Sequence, residues 1–141
     1  MNNRFKFRVW DKMRLQFIYP HNDNEQHFII DLNGRFHNLQ NGSGGDDYVI
    51  QQYTGLTDSK GKEIYEGDIV KYISFVGCVD MHNGVYIIDN EYKYHSVILG
   101  HIPKKDIKII GNIFNPPCNL DANGECLICD DIINNCQFKS K

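Results

Sequence analysis

Residues 53–70 read Tyr-Thr-Gly-Leu-Thr-Asp-Ser-Lys-Gly-Lys-Glu-Ile-Tyr-Glu-Gly-Asp-Ile-Val and carry the signals that decide the fold. Residues 58–61 predict a reverse turn, because an aspartate side chain bonds to nearby backbone and a glycine tolerates positive φ. A second turn at residues 67–68 leads into residues 69–70, where β-branched side chains favour a strand. We therefore predict that the chain enters a β-rich body here.

Three carboxylates lie close together in this stretch, namely Glu63, Glu66 and Asp68. Neighbouring carboxylates can perform general acid–base catalysis where burial or a nearby charge shifts a pKa. Nothing apolar surrounds these three residues in a way that would shift a pKa. We therefore interpret them as turn and strand-edge residues in contact with water.

An N-terminal hairpin is predicted from alternating side chains. Residues 4–9 alternate cationic and apolar side chains, which predicts a strand with Phe5, Phe7 and Val9 buried on one face and the cations on the other. Residues 15–19 continue the alternation after a turn. They are the expected partner strand.

A second hairpin is predicted at Asn33-Gly34, a dipeptide that is typical of a two-residue turn between alternating strands. That turn would place Ile30 opposite His37. Phe28 would then lie opposite Leu39. No second histidine, cysteine or carboxylate is forced close to His37 by the sequence, so we interpret it as a partly buried strand residue.

The remaining chain up to residue 117 reads as short strands separated by turn residues. The predicted strands span residues 76–81, 84–88 and 107–114, with a tight turn at 82–84. Residues 92–99 are predicted to form either a further pair of strands or an irregular segment. Five short strands at this spacing suit a small barrel, whose curvature requires glycines such as Gly77, Gly100 and Gly111. Cys78 stands alone in a strand and is expected to be a small buried apolar residue. No segment holds a helical period for three turns, so the protein is predicted to be mainly β.

Three blocks of sequence resemble the YopX family of phage and prophage proteins. They read Phe-Arg-Val-Trp-Asp-Lys at 7–12, Gln-Tyr-Thr-Gly-Leu at 52–56 with Gly-Lys-Glu-Ile-Tyr-Glu-Gly-Asp-Ile-Val at 61–70, and Ile-Ile-Gly-Asn-Ile-Phe-Asn-Pro at 109–116. The resemblance covers residues 4–117 and implies a mainly β protein whose body is similar to an SH3-like barrel. It implies a bacteriophage or prophage origin. It implies no activity, and no catalytic residue can be carried over.

Composition favours one globular domain with a small appendage. The 141 residues are 41% hydrophobic and 23% charged, with a net charge of −3. We expect an N-terminal β-hairpin region at 1–47, a barrel body at 48–117 and a C-terminal tail at 118–141. No apolar run approaches the ~20 residues that cross a bilayer, so we expect no membrane partner and a cytoplasmic protein of a bacterial host.

The tail holds four of the five cysteines, namely Cys118, Cys126, Cys129 and Cys136. A Cys-x2-Cys pair with a flanking cysteine on each side could supply four thiolates to a structural zinc ion. The spacing matches no standard zinc finger, and Leu127-Ile128 replaces the Pro and Gly residues that are usual in a tight knuckle. The alternative is a loosely packed tail without a metal, because a segment this polar buries little surface.

These features favour a non-enzymatic protein-binding or assembly module. Small barrels hold partners at loops and aromatic faces, and exposed strand edges can pair with another chain. Residues 4–9 and 48–53 are the edges that we expect to pair with another protein or with a second copy.

Two other functions stay open at this stage. The first is nucleic-acid binding by the cations of the N-terminal strand, with Trp10 and lysines 104, 105 and 108 joining them. These cations are Arg4, Lys6, Arg8, Lys12 and Arg14. The second is an enzyme of unrecognised class, which would need two of His82, His95, His101 and Asp89 to converge in one cleft.

Overall fold

The computed structural model describes residues 5–90 and 95–115. The chain divides into two compact units, Met1–Tyr53 and Thr54–Lys141. The strands are β1 (Phe7–Asp11), β2 (Gln16–Ile18), β3 (Phe28–Ile30), β4 (Phe36–Asn38), β5 (Tyr48–Thr57), β6 (Glu63–Tyr65), β7 (Asp68–Tyr72), β8 (Phe75–His82), β9 (Val85–Asn90), β10 (His95–Ile98) and β11 (Ile107–Asn112). The described residues contain no α-helix, only short 3-10 turns, so the mainly β prediction is confirmed.

In the first unit, β1 lies between β2 and the start of β5, and both neighbours are antiparallel to it. Val9 pairs with Ile18 on one side and with Ile50 on the other, and its side chain is fully buried. Phe36 and Tyr48 pack with Val9 to form the core of this unit. The predicted hairpin of β1 and β2 is confirmed.

The predicted faces of the N-terminal strand are wrong at two positions. Phe5 is 71% exposed, whereas Arg8 is only 4% exposed. The Arg8 guanidinium stacks over the Phe17 ring at 4.3 Å, and its Nε donates to Gln51 Oε1 at 2.8 Å. Because side chains of the neighbouring strands cover Arg8, the cation face of β1 is not simply exposed to water, and a strict in–out alternation fails here.

The second predicted hairpin forms with a different register. Ile29 pairs with His37, and Phe28 pairs with Asn38, so the pairing is shifted by one residue from the prediction. The turn is longer than two residues, because Asp31 Oδ1 accepts the backbone N–H groups of Asn33 and Arg35 at 2.9 and 3.0 Å. This aspartate-centred loop of residues 31–35 replaces the expected Asn-Gly turn.

The second unit is built on a five-stranded antiparallel sheet in the order β10-β9-β8-β7-β11. Val79 of β8 pairs with Ile88 of β9, and Ile88 pairs with Val97 of β10. These side chains point to one face, where Val79 and Ile88 are fully buried with Leu99. The sheet therefore has one continuous apolar face.

The opposite face of the same sheet carries a smaller apolar cluster. Ile69, Cys78 and Ile113 are buried together there, and Phe114 packs against them. The prediction that Cys78 is a buried apolar residue is confirmed. The fold includes a curled half-barrel sheet, while its SH3-like form stays a prediction, as do the domain limits at residues 47 and 117.

Two tight turns of this sheet differ in their chemistry. The β8–β9 turn consists of Asn83 and Gly84 with φ values of 50° and 81°, which confirms the predicted turn at 82–84. The β7–β8 turn instead begins with Ile73, whose φ is 55° and whose side chain is 72% exposed. A β-branched residue rarely adopts positive φ, so this turn stores strain.

Replacing Ile73 by Gly should therefore stabilise the protein. We expect the free energy of unfolding in urea to rise by about 1 kcal/mol, since the relief of strain exceeds the added chain entropy of glycine. Asn83→Gly is the matched control and should change stability by less than about 0.5 kcal/mol, because asparagine tolerates this conformation. A loss of stability in Ile73→Gly equal to or larger than that of the control would contradict the strain assignment.

Candidate functional site

The two outer strands of the five-stranded sheet have different environments. β11 lies at one end, and its outer side is occupied by the turn at residues 58–62. Ser59 N–H donates to Ile107 O at 2.8 Å, and Ile109 N–H donates to Asp58 Oδ2 at 3.2 Å. A bulge between Ile109 and Gly111 further disrupts this edge. These are devices by which natural sheets prevent an edge strand from pairing with another chain.

Asp58 organises the turn that occupies this edge. Its Oδ1 accepts the backbone N–H groups of Lys60 and Lys62, both at 2.9 Å, and its side chain is buried. Burial alone raises the pKa of Asp58, but the three backbone N–H bonds to its carboxylate outweigh burial and lower the pKa below the ordinary 3.8. The carboxylate is therefore charged and structural.

β10, at the other end of the sheet, is different. It pairs with β9 on its inner side, where Ser96 lies opposite Asp89 and Ile98 lies opposite Ile87. Among the residues that the structure describes, no strand and no turn bonds to the outer side of β10. The outer backbone N–H and C=O groups of this strand therefore have no strand or turn partner within residues 5–90 and 95–115, and unpaired groups of this kind can pair with another extended chain.

The side chains at this edge are uncharged and partly apolar. Ser96 and Ile98 point to the same face as Ile87, since directly paired residues share a face. Ile98 is 39% exposed and Val85, two residues before Ile87 on β9, is also exposed, whereas Ile87 is buried. A chain added to β10 would therefore place alternate side chains beside a small apolar surface.

The N-terminal cations do not form the exposed row that the sequence predicted. Lys6 lies over the Tyr53 ring, with its Nζ 5.5 Å from the ring centre, and Arg8 is buried as described above. Lys12 Nζ donates to Asp46 O at 2.6 Å, and Arg14 forms an ion pair with buried Asp11 at 3.1 Å. Arg4 lies outside the described residues.

The carboxylates of the central stretch are less exposed than predicted. Asp68 is buried, and its Oδ2 accepts the Tyr65 N–H at 2.9 Å, so the interpretation of this residue as water-exposed is wrong. Glu66 bonds to Tyr86, and burial followed by the charge and hydrogen bond of Glu66 raises the pKa of Tyr86 to about 12. The Tyr86 hydroxyl is thus a donor at neutral pH and not a base.

His37 has a carboxylate neighbour that sequence reasoning missed. Its Nε2 lies 2.9 Å from Asp31 Oδ2, because the five-residue loop folds Asp31 back onto β4. The hydrogen bond from His37 is the largest of the interactions that lower the pKa of Asp31, followed by the bond from the Arg35 backbone. An aspartate six residues before a histidine across a turn is the signal that could have predicted this pair.

The residues considered for catalysis or metal binding are not brought together into a described cluster. His82 and His101 are exposed, and Asp89 is opposite Ser96 on the sheet. His95 pairs through its backbone with Asn90. Within residues 5–90 and 95–115, no group of three His, Cys, Asp or Glu side chains could hold a metal ion. The four tail cysteines, Cys118, Cys126, Cys129 and Cys136, lie outside the described residues.

The expected edge at residues 4–9 is an edge only in part, since Phe7 and Arg8 pair with β5 and have no residue of β2 opposite them. Val9, Trp10 and Asp11 are paired with β2 on one side and with β5 on the other. β10 is the end strand of the five-stranded sheet whose outer side has no partner among the described residues, and no local sequence feature distinguishes it from the other strands. Which strand is last in a sheet depends on pairing between distant segments.

These features define a small antiparallel β protein whose five-stranded sheet is capped at β11 and has no outer partner for β10 in the described part of the chain. Comparison with known proteins then places it: the chain belongs to the YopX family, since the family model described as YopX protein matches residues 6–121. No match was found among the curated proteins. Within the described residues, no helix is long and apolar enough to cross a membrane.

Two solved structures share the fold. The protein yopX from Bacillus subtilis is 22% identical with a TM-score of 0.55, covering 86% of this chain and 100% of its own. The protein EF1440 from Enterococcus faecalis is 24% identical with a TM-score of 0.52, covering 82% of this chain and 97% of its own. The family has no known function, so these similarities support the fold and leave the function to the geometry.

Proposed function

We propose that this protein is a non-enzymatic protein-binding module, in which an extended segment of a partner adds as a strand to β10. The contrast between the two sheet edges carries the proposal. β11 is capped by the Asp58 turn, whereas the outer side of β10 has no partner among the described residues. Strand addition uses such an edge for main-chain hydrogen bonds and uses alternate side chains for specificity.

The side chains of β10 indicate which kind of segment would bind beside it. Ser96, Val97 and Ile98 are uncharged, so a partner needs no opposite charge to match them. An apolar partner side chain beside Ile98 would cover the exposed part of that residue. We therefore expect an extended segment of about four to six residues with alternate apolar side chains.

A foreign segment fits this edge better than a second copy of the chain. A pair of four-residue β10 strands would bury much less than the roughly 1,000 Å² that a stable interface needs. A short peptide can bind at such an edge without a large interface, because its main-chain bonds and a single side-chain contact are enough for a transient complex.

Selection from a displayed library of random octapeptides tests the proposal. Peptides selected on the purified protein should share alternate apolar positions and should lose at least about tenfold in affinity for Ser96→Lys or Ile98→Lys. A lysine on an edge strand opposes the addition of another strand. Isothermal titration calorimetry with the selected peptides gives the affinities.

Met81→Lys is the matched control. Met81 is exposed by 39%, as Ile98 is, but it lies on β8 in the interior of the sheet. The Met81→Lys variant should bind the selected peptides with the affinity of the wild type. Equal binding to all three variants would contradict the proposal. Analytical ultracentrifugation tests for self-association. If the wild type forms a concentration-dependent dimer and Ile98→Lys is a monomer, the partner of β10 is a second copy of the chain and not a foreign peptide.

A further inference from the structure

The cations that the structure describes in the second unit are segregated to one part of its sheet. Residues 54–90 and 95–115 contain six lysines and no arginine, and all six are exposed. They fall in the turn at 58–62, at the end of β7 and in the segment 104–108. We call them the lysine surface: Lys60, Lys62, Lys71, Lys104, Lys105 and Lys108.

The fold brings these three segments together although they are distant in sequence. Lys71 of β7 lies directly opposite Lys108 of β11, so their side chains leave the same face. Lys104 and Lys105 belong to the 3-10 turn that leads into β11. The turn at 58–62, which carries the remaining two lysines, bonds to Ile107 and Ile109 on the outer side of the same strand.

Residues 54–90 and 95–115 contain seven acidic residues, and most of them bond to other groups or lie on other strands. Glu63, which follows Lys62, accepts the Tyr65 hydroxyl at 3.0 Å, and Glu66 bonds to Tyr86. Asp58 is buried beneath the lysine surface and already accepts three backbone N–H groups, and Asp106 is the acidic neighbour within the segment 104–108. Asp68 lies opposite Asn112, at the other end of the β7–β11 pairing from Ile107. Asp80 and Asp89 belong to β8 and β9. Within the described part of the chain, no ion pair involves any of the six lysines.

The pair of Lys71 and Lys108 has an energetic cost in the free protein. Directly opposite residues have their Cβ atoms about 5 Å apart, and like charges in that position destabilise a sheet. An anion between or above the two ammonium groups attracts both of them, so the repulsion between the lysines is then outweighed by attraction to the anion. An arrangement that is unfavourable alone and favourable with an anion indicates a binding surface.

We propose that the lysine surface binds the phosphate backbone of a nucleic acid, independently of the peptide site at β10. Flexible lysine side chains are point charges without the fixed fork of arginine, so they favour contact with many phosphates over recognition of one group. A duplex offers a phosphate every ~3.4 Å along each strand and can reach several of these lysines at once. The binding is expected to depend on salt and not on base sequence.

An anionic membrane fits this surface less well. Ile73 is the exposed large apolar residue at the neighbouring β7–β8 turn, and insertion into lipid by one side chain contributes little. The nucleic-acid site also differs from the one expected from the sequence, because it lies on β7 and β11 and not on the N-terminal strand. The sequence suggests that lysines 104, 105 and 108 join the basic N-terminal strand. In the fold these three lysines lie together on the lysine surface.

Fluorescence anisotropy with a labelled 20-base-pair duplex of arbitrary sequence, at several salt concentrations between 50 and 200 mM, tests the proposal. Wild type should bind at 50 mM salt and weaken steeply at 200 mM. Lys71→Gln combined with Lys108→Gln should bind about tenfold or more weakly at 50 mM salt. It should also reduce the slope of log affinity against log salt by about 2, since each phosphate that a lysine neutralises adds about 1 to that slope.

The control removes the same charge from the first unit, with Lys12→Gln combined with Arg35→Gln. Both double variants have the same net charge, so a general electrostatic effect would change them equally. We expect the control to keep the wild-type slope. An unchanged slope in the Lys71/Lys108 variant, or no binding of wild type at 50 mM salt, would overturn the proposal.

Two further probes separate nucleic acid from other polyanions. Vesicles with 30% phosphatidylserine and poly-glutamate should bind at least about tenfold more weakly than the duplex under the same conditions. If vesicles bind more strongly than the duplex, and the Lys71/Lys108 variant loses that binding, the ligand of the lysine surface is an anionic membrane and not a nucleic acid. Urea unfolding of the Lys71/Lys108 variant should show no loss of stability, since the change removes a repulsion.

Discussion

Replacing Asp58 by Ala should lower the free energy of unfolding by about 3 kcal/mol. The substitution leaves the backbone N–H groups of Lys60, Lys62 and Ile109 without their acceptor, and the carboxylate that they share is buried. Hydrogen bonds to a charged group contribute about 1.5 to 3 kcal/mol each, and the turn recovers part of the loss by bonding to water. Urea denaturation monitored by circular dichroism measures the change.

Asp106→Ala is the control for this experiment, since Asp106 is an exposed aspartate close to the same strand. Its effect should remain within about 0.5 kcal/mol. An equal loss in the two variants would show that Asp58 does not hold the turn against β11. A loss in Asp58→Ala alone supports the capped edge on which the contrast with β10 rests.

The same carboxylate predicts a pH dependence of stability. The pKa of Asp58 is lowered in the folded protein, so its contribution is fully present above the ordinary value of 3.8 and is lost as pH falls through the lowered pKa. Asp58→Asn cannot titrate, so the difference in stability between wild type and this variant should shrink below about pH 4. A difference that is constant from pH 7 to pH 3 would contradict the assignment.

Gly77→Ala should have the second large effect. A Cβ atom at this position would lie 2.5 Å from Asp89 O and 2.7 Å from Ile88 Cγ2, so the backbone of β8 or β9 would have to move. We expect a loss of about 2 to 3 kcal/mol, which is typical of overpacking in a core. The melting temperature in differential scanning calorimetry should fall by several degrees.

Gly100→Ala is the matched control, because a Cβ atom there meets nothing within 4 Å. It should leave stability unchanged or slightly raised. The sequence predicted that both glycines are needed for curvature. The structure assigns a steric requirement to Gly77 alone of the two, and comparable losses in both variants would contradict that distinction.

Local signals predicted much of the fold. The Asp58 turn, the Asn83-Gly84 turn and the hairpin of β1 and β2 are all properties of neighbouring residues, which is why alternation and turn chemistry were sufficient. The burial of Cys78 followed from its place in a strand. The family resemblance added the order of the blocks and also implied a mainly β fold. The matching family model confirms the family, and the strand content of the structure confirms the fold class.

Other features depended on contacts between distant segments and could not be read locally. The burial of Arg8 required knowledge that β1 has a strand on each side and that Phe17 covers it. The register of the β3–β4 hairpin was wrong because Asp31 captures two backbone N–H groups and lengthens the loop. The position of β10 at the end of the described sheet is a property of the strand order, which no single segment encodes.

The candidate surfaces illustrate the same limit. The sequence shows Lys71 and Lys108 thirty-seven positions apart, and only the pairing of β7 with β11 makes them neighbours. The basic residues that look like a row, at positions 4 to 14, are instead partly buried or bound to nearby groups where the structure describes them. Charge segregation along a sequence and charge segregation on a folded surface are therefore different observations.

Residue-resolved amide hydrogen exchange, measured by NMR with and without a selected peptide, tests the central claim most directly. In the free protein, those backbone amides of Ser96, Val97 and Ile98 that point away from β9 should exchange rapidly, since no described group accepts them. Saturating peptide should slow their exchange by at least about a hundredfold and leave the capped β11 unchanged. Protection at another strand, with β10 unaffected, would contradict the claim that β10 is the binding edge.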